Sequence, residues 1–166
     1  PGSETWALKT LRGVDTDVFT STQRANLLSK SANGYETNAS IAMTFDGTVA
    51  EGEYLDIIRG IDKLQARMEE LVFAALLRVD KVPYTAKGIA SLEAEVRRAL
   101  KERQSSGTIA DTSPEDPPGT AYLVTPPAIA DIDSATRATR VLPAIEFSAF
   151  LAGAIHAVDV TGTVTV

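Results

Sequence analysis

Three carboxylates fall within one short stretch, Glu51, Glu53 and Asp56. Paired carboxylates do general acid-base work, and converging ones supply the oxygen ligands that a divalent cation takes. Read for that chemistry alone, the chain is a small carboxylate-based metal-dependent enzyme or ligand-binding domain. The same residues stand where a helix would begin, however, and acidic side chains there complement the positive end of its dipole. A second pair, Asp131 and Asp133, has the opening spacing of a calcium loop. Such a loop needs Gly at its sixth position and Glu at its twelfth, where this chain has Thr136 and Leu142. The single histidine, His156, lies in a run of strand-forming residues, where packing is its expected role. A Ser-His-Asp triad would have to use that residue, and no G-x-S-x-G elbow accompanies any serine. Phosphate-cradling glycine loops are absent too. With no cysteine in the chain, thiolate nucleophiles, disulfides and cysteine-held zinc are excluded. The residues therefore point to no enzyme, with no catalytic, cofactor-binding or metal-ligating set.

The elements that would position these residues can be read from spacing. Thr20-x-x-Gln23 is a capping box, opening a helix expected to run to Ala32 and to stop at Asn33-Gly34. Ser40–Phe45, Asp46-Gly47 and Thr48–Ala50 read as a hairpin, since Asp-Gly between β-type residues is a strong turn signal. From Gly52 to Val79 apolar residues recur at helical spacing through Ile57, Ile61, Leu64, Met68, Leu71 and Ala75. Gly60 within that helix points to close packing, and Pro83 bars continuation. A second helix, Thr85 to Gln104, would bury Ile89, Leu92, Val96 and Leu100 and keep Arg97, Arg98, Lys101 and Arg103 on a solvated face. Residues 105–120, rich in Pro, Gly and acid, read as a mobile surface loop. Ala121–Thr125 and Ala144–Leu151 read as strands, with Ser134 capping a helical turn between them and Gly153 allowing a bend.

The last residues carry the clearest strand pattern. Val158, Val160, Val164 and Val166 take alternate positions, with Asp159, Thr161, Thr163 and Thr165 between. No Lys or Pro blunts this stretch, so it either pairs inside its own domain or adds to the sheet of another chain. The order of elements gives an α+β fold: a small mixed β-sheet packed against two long helices, with an extended C-terminal β-arm over 155–166. At 166 residues a single domain, 1–166, is expected, with 44% hydrophobic and 23% charged residues enough for a soluble core. A net charge of −6 argues against nucleic acid or an anionic membrane as partner. No apolar run approaches a membrane span, and PGSETWALK is no signal peptide. The missing initiator Met suggests a piece of a longer protein.

Three blocks carry a family resemblance: Gly47, Gly52, Asp56, Arg59, Gly60 and Asp62; Val82-Pro-Tyr-Thr-Ala-Lys-Gly-Ile89; and Arg140-Val-Leu-Pro143 followed by Phe147 to His156 (F-S-A-F-L-A-G-A-I-H). The chain from about Leu11 onward resembles the C-terminal half of the tail-sheath-like proteins of phages with contractile tails. That resemblance implies a structural subunit whose N-terminal part is absent, polymerising around a tail tube and contracting during infection. Implied partners are further copies of itself, the tail tube protein and the baseplate, with no nucleic acid, no membrane insertion and no cofactor. Implied location is the virion tail, after assembly in the host cytoplasm. Val158, Val160, Thr161, Gly162, Thr163, Val164 and Val166 would form the donated arm, with Gly153 as its hinge. Another virion part, such as a tail or baseplate adaptor using the same strand exchange, is the neighbouring alternative.

Overall fold

The computed structural model of the chain describes residues 3–114, 119–159 and 161–162. They form two compact units, one of residues Arg59–Ala152, the other of the described residues up to Ile58 together with those from Gly153.

In the second of these units the expected capping box forms. The Gln23 amide donates to the Thr20 hydroxyl at 3.3 Å, and the Thr20 amide donates to the Gln23 side chain at 2.9 Å. Helix α1 (Ser21–Leu28) ends sooner than expected, and Ser31 then takes a left-handed φ of 52°. Asn33 and Gly34 consequently serve elsewhere. The Asn33 side-chain oxygen accepts from the Gly47 and Thr48 amides at 2.6 and 3.0 Å. Gly34 opens strand β1 (Gly34–Asn38), where an added Cβ would lie 2.2 Å from the Phe45 ring.

The hairpin is present but displaced from its expected turn. Strand β1 pairs antiparallel with β2 (Ile41–Phe45), in register from Gly34↔Phe45 to Asn38↔Ile41. Its turn is Ala39-Ser40, at φ 49° and 66°, the two-residue geometry with both central residues at positive φ. Asp46-Gly47, also left-handed, instead directs the chain out of β2 into a short excursion where Thr48 bridges Tyr54. This register seats the Phe45 ring over bare Gly34. Ala7, Tyr35 and Phe45 are buried, Phe19 meets the Phe45 ring edge-on, and the Arg24 guanidinium lies 4.9 Å from that ring while pairing with Glu36 at 2.8 Å.

The other unit is built on two long helices. Helix α2 (Leu55–Leu77), whose first turn carries the boundary between the units, and α3 (Ala86–Ser105) both lie close to their expected spans. Thr85 caps α3, accepting from the Gly88 amide. Gly88 has no alternative: a Cβ there would sit 1.9 Å from the Pro83 carbonyl oxygen. That contact accounts physically for the Pro-x-Thr-x-x-Gly spacing. The expected face of α3 is buried at Ile89, Leu92, Val96 and Leu100. Of these, Val96 and Leu100 share a core with Leu64 and Leu71 of α2 and with Ile109, Ala121 and Val124. Gly60, the glycine expected to be closely packed inside this helix, is buried on α2.

Strands β3 (Tyr122–Thr125) and β4 (Glu146–Ala149) pair antiparallel and lay Val124, Tyr122 and Ala149 on that core. The fold is α+β as expected; among the described residues the strands form two separate two-stranded antiparallel sheets rather than one mixed sheet. The hairpin closes locally, and loop residues occupy its flanks: Thr44 exchanges backbone hydrogen bonds with Leu8 and Lys9, and the Asp17 amide donates to the Tyr35 carbonyl. The segment expected as a mobile loop is anchored within its described part. Ile109 is only 1% exposed and bridges Leu151, and Thr112 bridges Thr120. Helix α4 (Ser134–Ala138) forms where a turn was expected, capped by Asp133 rather than Ser134.

Candidate assembly surface

The carboxylates Glu51, Glu53 and Asp56 do not converge. Glu51 and Glu53 are exposed, Asp56 is half-buried, and Glu53 accepts from the Tyr54 amide beside it at 3.0 Å. Among the described residues no group of three or more acidic or histidine side chains is placed to hold a metal ion. Asp133 accepts from the Thr136 amide at 2.6 Å, and that bond holds its carboxyl below the ordinary aspartate range. Its position in the acidic pair is therefore that of a helix cap.

The arginines of α3 are largely engaged within their own unit. Arg97 pairs with Glu93 at 2.7 Å and donates to the Val124 carbonyl at 3.1 Å. Arg98 pairs with Glu95 and Glu102, and Arg67 of α2 grips Glu102 through two hydrogen bonds of 2.8 and 3.1 Å. The Arg67 hydrogen bond, ahead of all other causes, lowers the Glu102 pKa, and the same bond raises that of Arg67. Arg103 departs from the solvated face expected of it and is 8% exposed.

His156 is a clasp rather than a strand residue. Its Nε2 lies 2.7 Å from the Thr5 hydroxyl, and its ring meets Tyr54 edge-on with centroids 5.1 Å apart. Nothing in the spacing of Thr5, Tyr54 and His156 announces this contact. Gly153 turns the chain at φ 68° with open space around it. From Gly153 to Asp159, and at Thr161 and Gly162, the chain adopts no regular secondary structure and has no strand partner among the described residues. Ile155 and Val158 are 81% and 73% exposed. Val160, Thr163, Val164 and Val166 lie outside the described residues. Pairing of the terminal run within its own chain is thus not found in the part described.

One strand edge in the Arg59–Ala152 unit is open among the described residues. The Phe150 amide donates to the Ala121 carbonyl, on the β3 side, so alternate residues Phe147 and Ala149 turn their backbone groups the other way. No described residue outside β3 bonds to either of them. The opposite flank of the sheet is less open, since Arg97 takes the Val124 carbonyl.

The family model described as E217 tail sheath protein gp31-like, C-terminal domain, matches residues 55–164. No curated protein sequence matches the chain. Among solved structures it is similar to a chain in the cryo-EM structure of the anti-feeding prophage (AFP) baseplate, 6-fold symmetrised. The two share 16% identity at a TM-score of 0.71, over 99% of this chain and 46% of that one. At that identity the likeness is one of fold, and the chain spans less than half the length of the one it matches.

Proposed function

The chain belongs to the family of E217 gp31-like tail sheath proteins, as their C-terminal domain, and on that premise we propose that it is the lattice-forming domain of a longer tail sheath subunit. Subunits polymerise around the tail tube by donating the terminal arm, residues Val158, Val160, Thr161, Gly162, Thr163, Val164 and Val166, to a neighbour's sheet. The observation that carries this reading is that the chain holds both an exposed terminal segment without a strand partner among the described residues and an open strand edge at Phe147 and Ala149. Backbone hydrogen bonds then hold the lattice while alternating valines set register. Gly153, free of neighbours and already left-handed, is the hinge. Contraction of the sheath, contact with tube and baseplate, a place in the virion tail and assembly in the host cytoplasm follow from the family resemblance.

A tail or baseplate adaptor using the same exchange is the second reading, favoured by the fold likeness to a baseplate chain. Negative-stain microscopy of the full-length protein, beside a version lacking Val158–Val166, separates the cases. Tubes or stacked rings that vanish on truncation support the sheath subunit. Closed single rings that vanish on truncation support the adaptor. Single particles from both proteins sink the strand-exchange reading.

A further inference from the structure

The signature blocks Val82–Ile89 and Arg140–Pro143 meet around one cavity of about 410 Å³ in the Arg59–Ala152 unit. Leu76, Val82, Ile89, Leu92, Leu142 and Ile145 form much of its wall. The Tyr84 hydroxyl donates to the Val141 carbonyl at 3.2 Å, tying one block to the other. Gly88, held against the Pro83 carbonyl, lines the same cavity. Arg140 is the one charged side chain on its wall. The residue is exposed and takes a left-handed φ of 60°; its amide donates to the Arg137 carbonyl, while its guanidinium has no ion pair or hydrogen bond among the described residues.

The cavity has the size and apolar lining of a binding pocket, and its surroundings favour a protein occupant. Phe73 and Leu77 of α2, next in sequence to wall residues, and Val141, between Arg140 and Leu142, are 62%, 70% and 65% exposed. Exposed apolar side chains beside an apolar pocket are what a protein occupant would cover. The same chain carries a matching plug. Ile155 and Val158 project into solvent, and the exposed carboxylate of Asp159 follows directly, itself without a partner among the described residues.

We propose that the cavity is a socket for residues Ile155–Asp159 of a second copy, with Val158 and Ile155 in the apolar space and the Asp159 carboxylate on the Arg140 guanidinium. Ala144 and Ile145 of the wall immediately precede β4. Seating Asp159 there places the root of the arm at the Glu146 end of β4, so the arm runs parallel to that strand. The socket thereby anchors the arm before its strand pairs. This inference rests on the strand-exchange reading above, and its test is separable from that reading.

Two charge-reversed versions of the full-length protein, R140D and D159R, place like charges at the contact. Each alone is expected to raise the concentration needed for polymer, read by sedimentation, on the order of tenfold, since like charges at a contact oppose association. Mixed in equal amounts they are complementary in alternation, and polymer returns near the wild-type concentration. Both variants assembling as wild type would overturn the socket while leaving strand exchange standing, provided truncation of Val158–Val166 still abolishes polymer. Loss in each variant without rescue on mixing would overturn it too, as would rescue only when both changes sit in one chain, which places the plug in its own socket. To separate misfolding from lost contact, a peptide of residues 153–162 is titrated into the isolated chain. Shifts at the Leu76, Ile89, Leu142 and Ile145 methyl resonances, weakened in R140D, are expected; no shift at millimolar peptide counts against the socket.

Discussion

Gly88 shows how one missing side chain governs a local structure. A methyl group at this position would overlap the Pro83 carbonyl oxygen, a backbone atom that cannot swing aside without unpicking the cap at Thr85. Overpacking of this kind typically costs about 1–3 kcal/mol, so Gly88→Ala should lower stability by that order in chemical denaturation. An unchanged midpoint would mean that the Val82–Ile89 block is not held by this contact. Leu100 tests the opposite case, a cavity rather than a clash. It is fully buried between α2, α3 and the sheet, and Leu100→Ala should cost about 2–5 kcal/mol. Leu77, 70% exposed, should tolerate Ala within about 0.5 kcal/mol in the isolated chain. If Leu77→Ala proved as damaging as Leu100→Ala, the exposed apolar end of α2 would have to be part of the folded core.

Pairs of elements hold together through contacts whose pH dependence has a definite sign. Arg67 on α2 and Glu102 on α3 form a two-bond clamp, with Glu102 held below its ordinary value. A lowered carboxylate contributes stability that is present above its unfolded value and is lost as pH falls through the folded one. Arg67 is shifted upward, so its side of the clamp stays charged throughout the acid range. Thermal midpoints of wild type should therefore fall through the acid limb below the ordinary glutamate range. Glu102→Gln should flatten that limb while lowering stability modestly at neutral pH, because the pair is about one-third exposed. A limb equally steep in the variant would assign the acid transition to other carboxylates. The helices and their caps were legible in the residues because period and capping are local: Thr20, Thr85 and the α3 face at Ile89, Leu92, Val96 and Leu100 lie as read. The hairpin turn was misread for the complementary reason. Asp46-Gly47 is the stronger local signal, yet the chain turns at Ala39-Ser40, in a register that lays the Phe45 ring over Gly34, a contact that no short window contains. The His156 clasp on Thr5, across 151 positions of sequence, is invisible for the same reason, as is the splitting of one expected sheet into two.

At the scale of the whole molecule, the least protected backbone and the proposed interface coincide, and hydrogen exchange reads both at once. No amide from Gly153 to Asp159 donates to a backbone carbonyl among the described residues, whereas Leu100 and Ile109 lie in the most buried part of the core. Amides with no partner exchange at rates near those of an unfolded chain, and core amides wait for large-scale opening. In the isolated protein, peptides covering 153–162 should therefore exchange within seconds, while those covering α3 exchange slowest. Polymerisation by strand exchange adds donors and acceptors in a fixed pattern. Amides from Val158 onward should slow in the polymer, and so should those of Phe147 and Ala149, whose backbone groups face away from β3. Slowing at Gly34–Phe45 instead of β4 would move the acceptor to the hairpin, where Lys9 and Asp17 would first have to be displaced. Polymer in which 158–162 still exchange within seconds would mean that the lattice is held by side chains alone. In that case the alternation of valine and threonine at the end of the chain would need another cause.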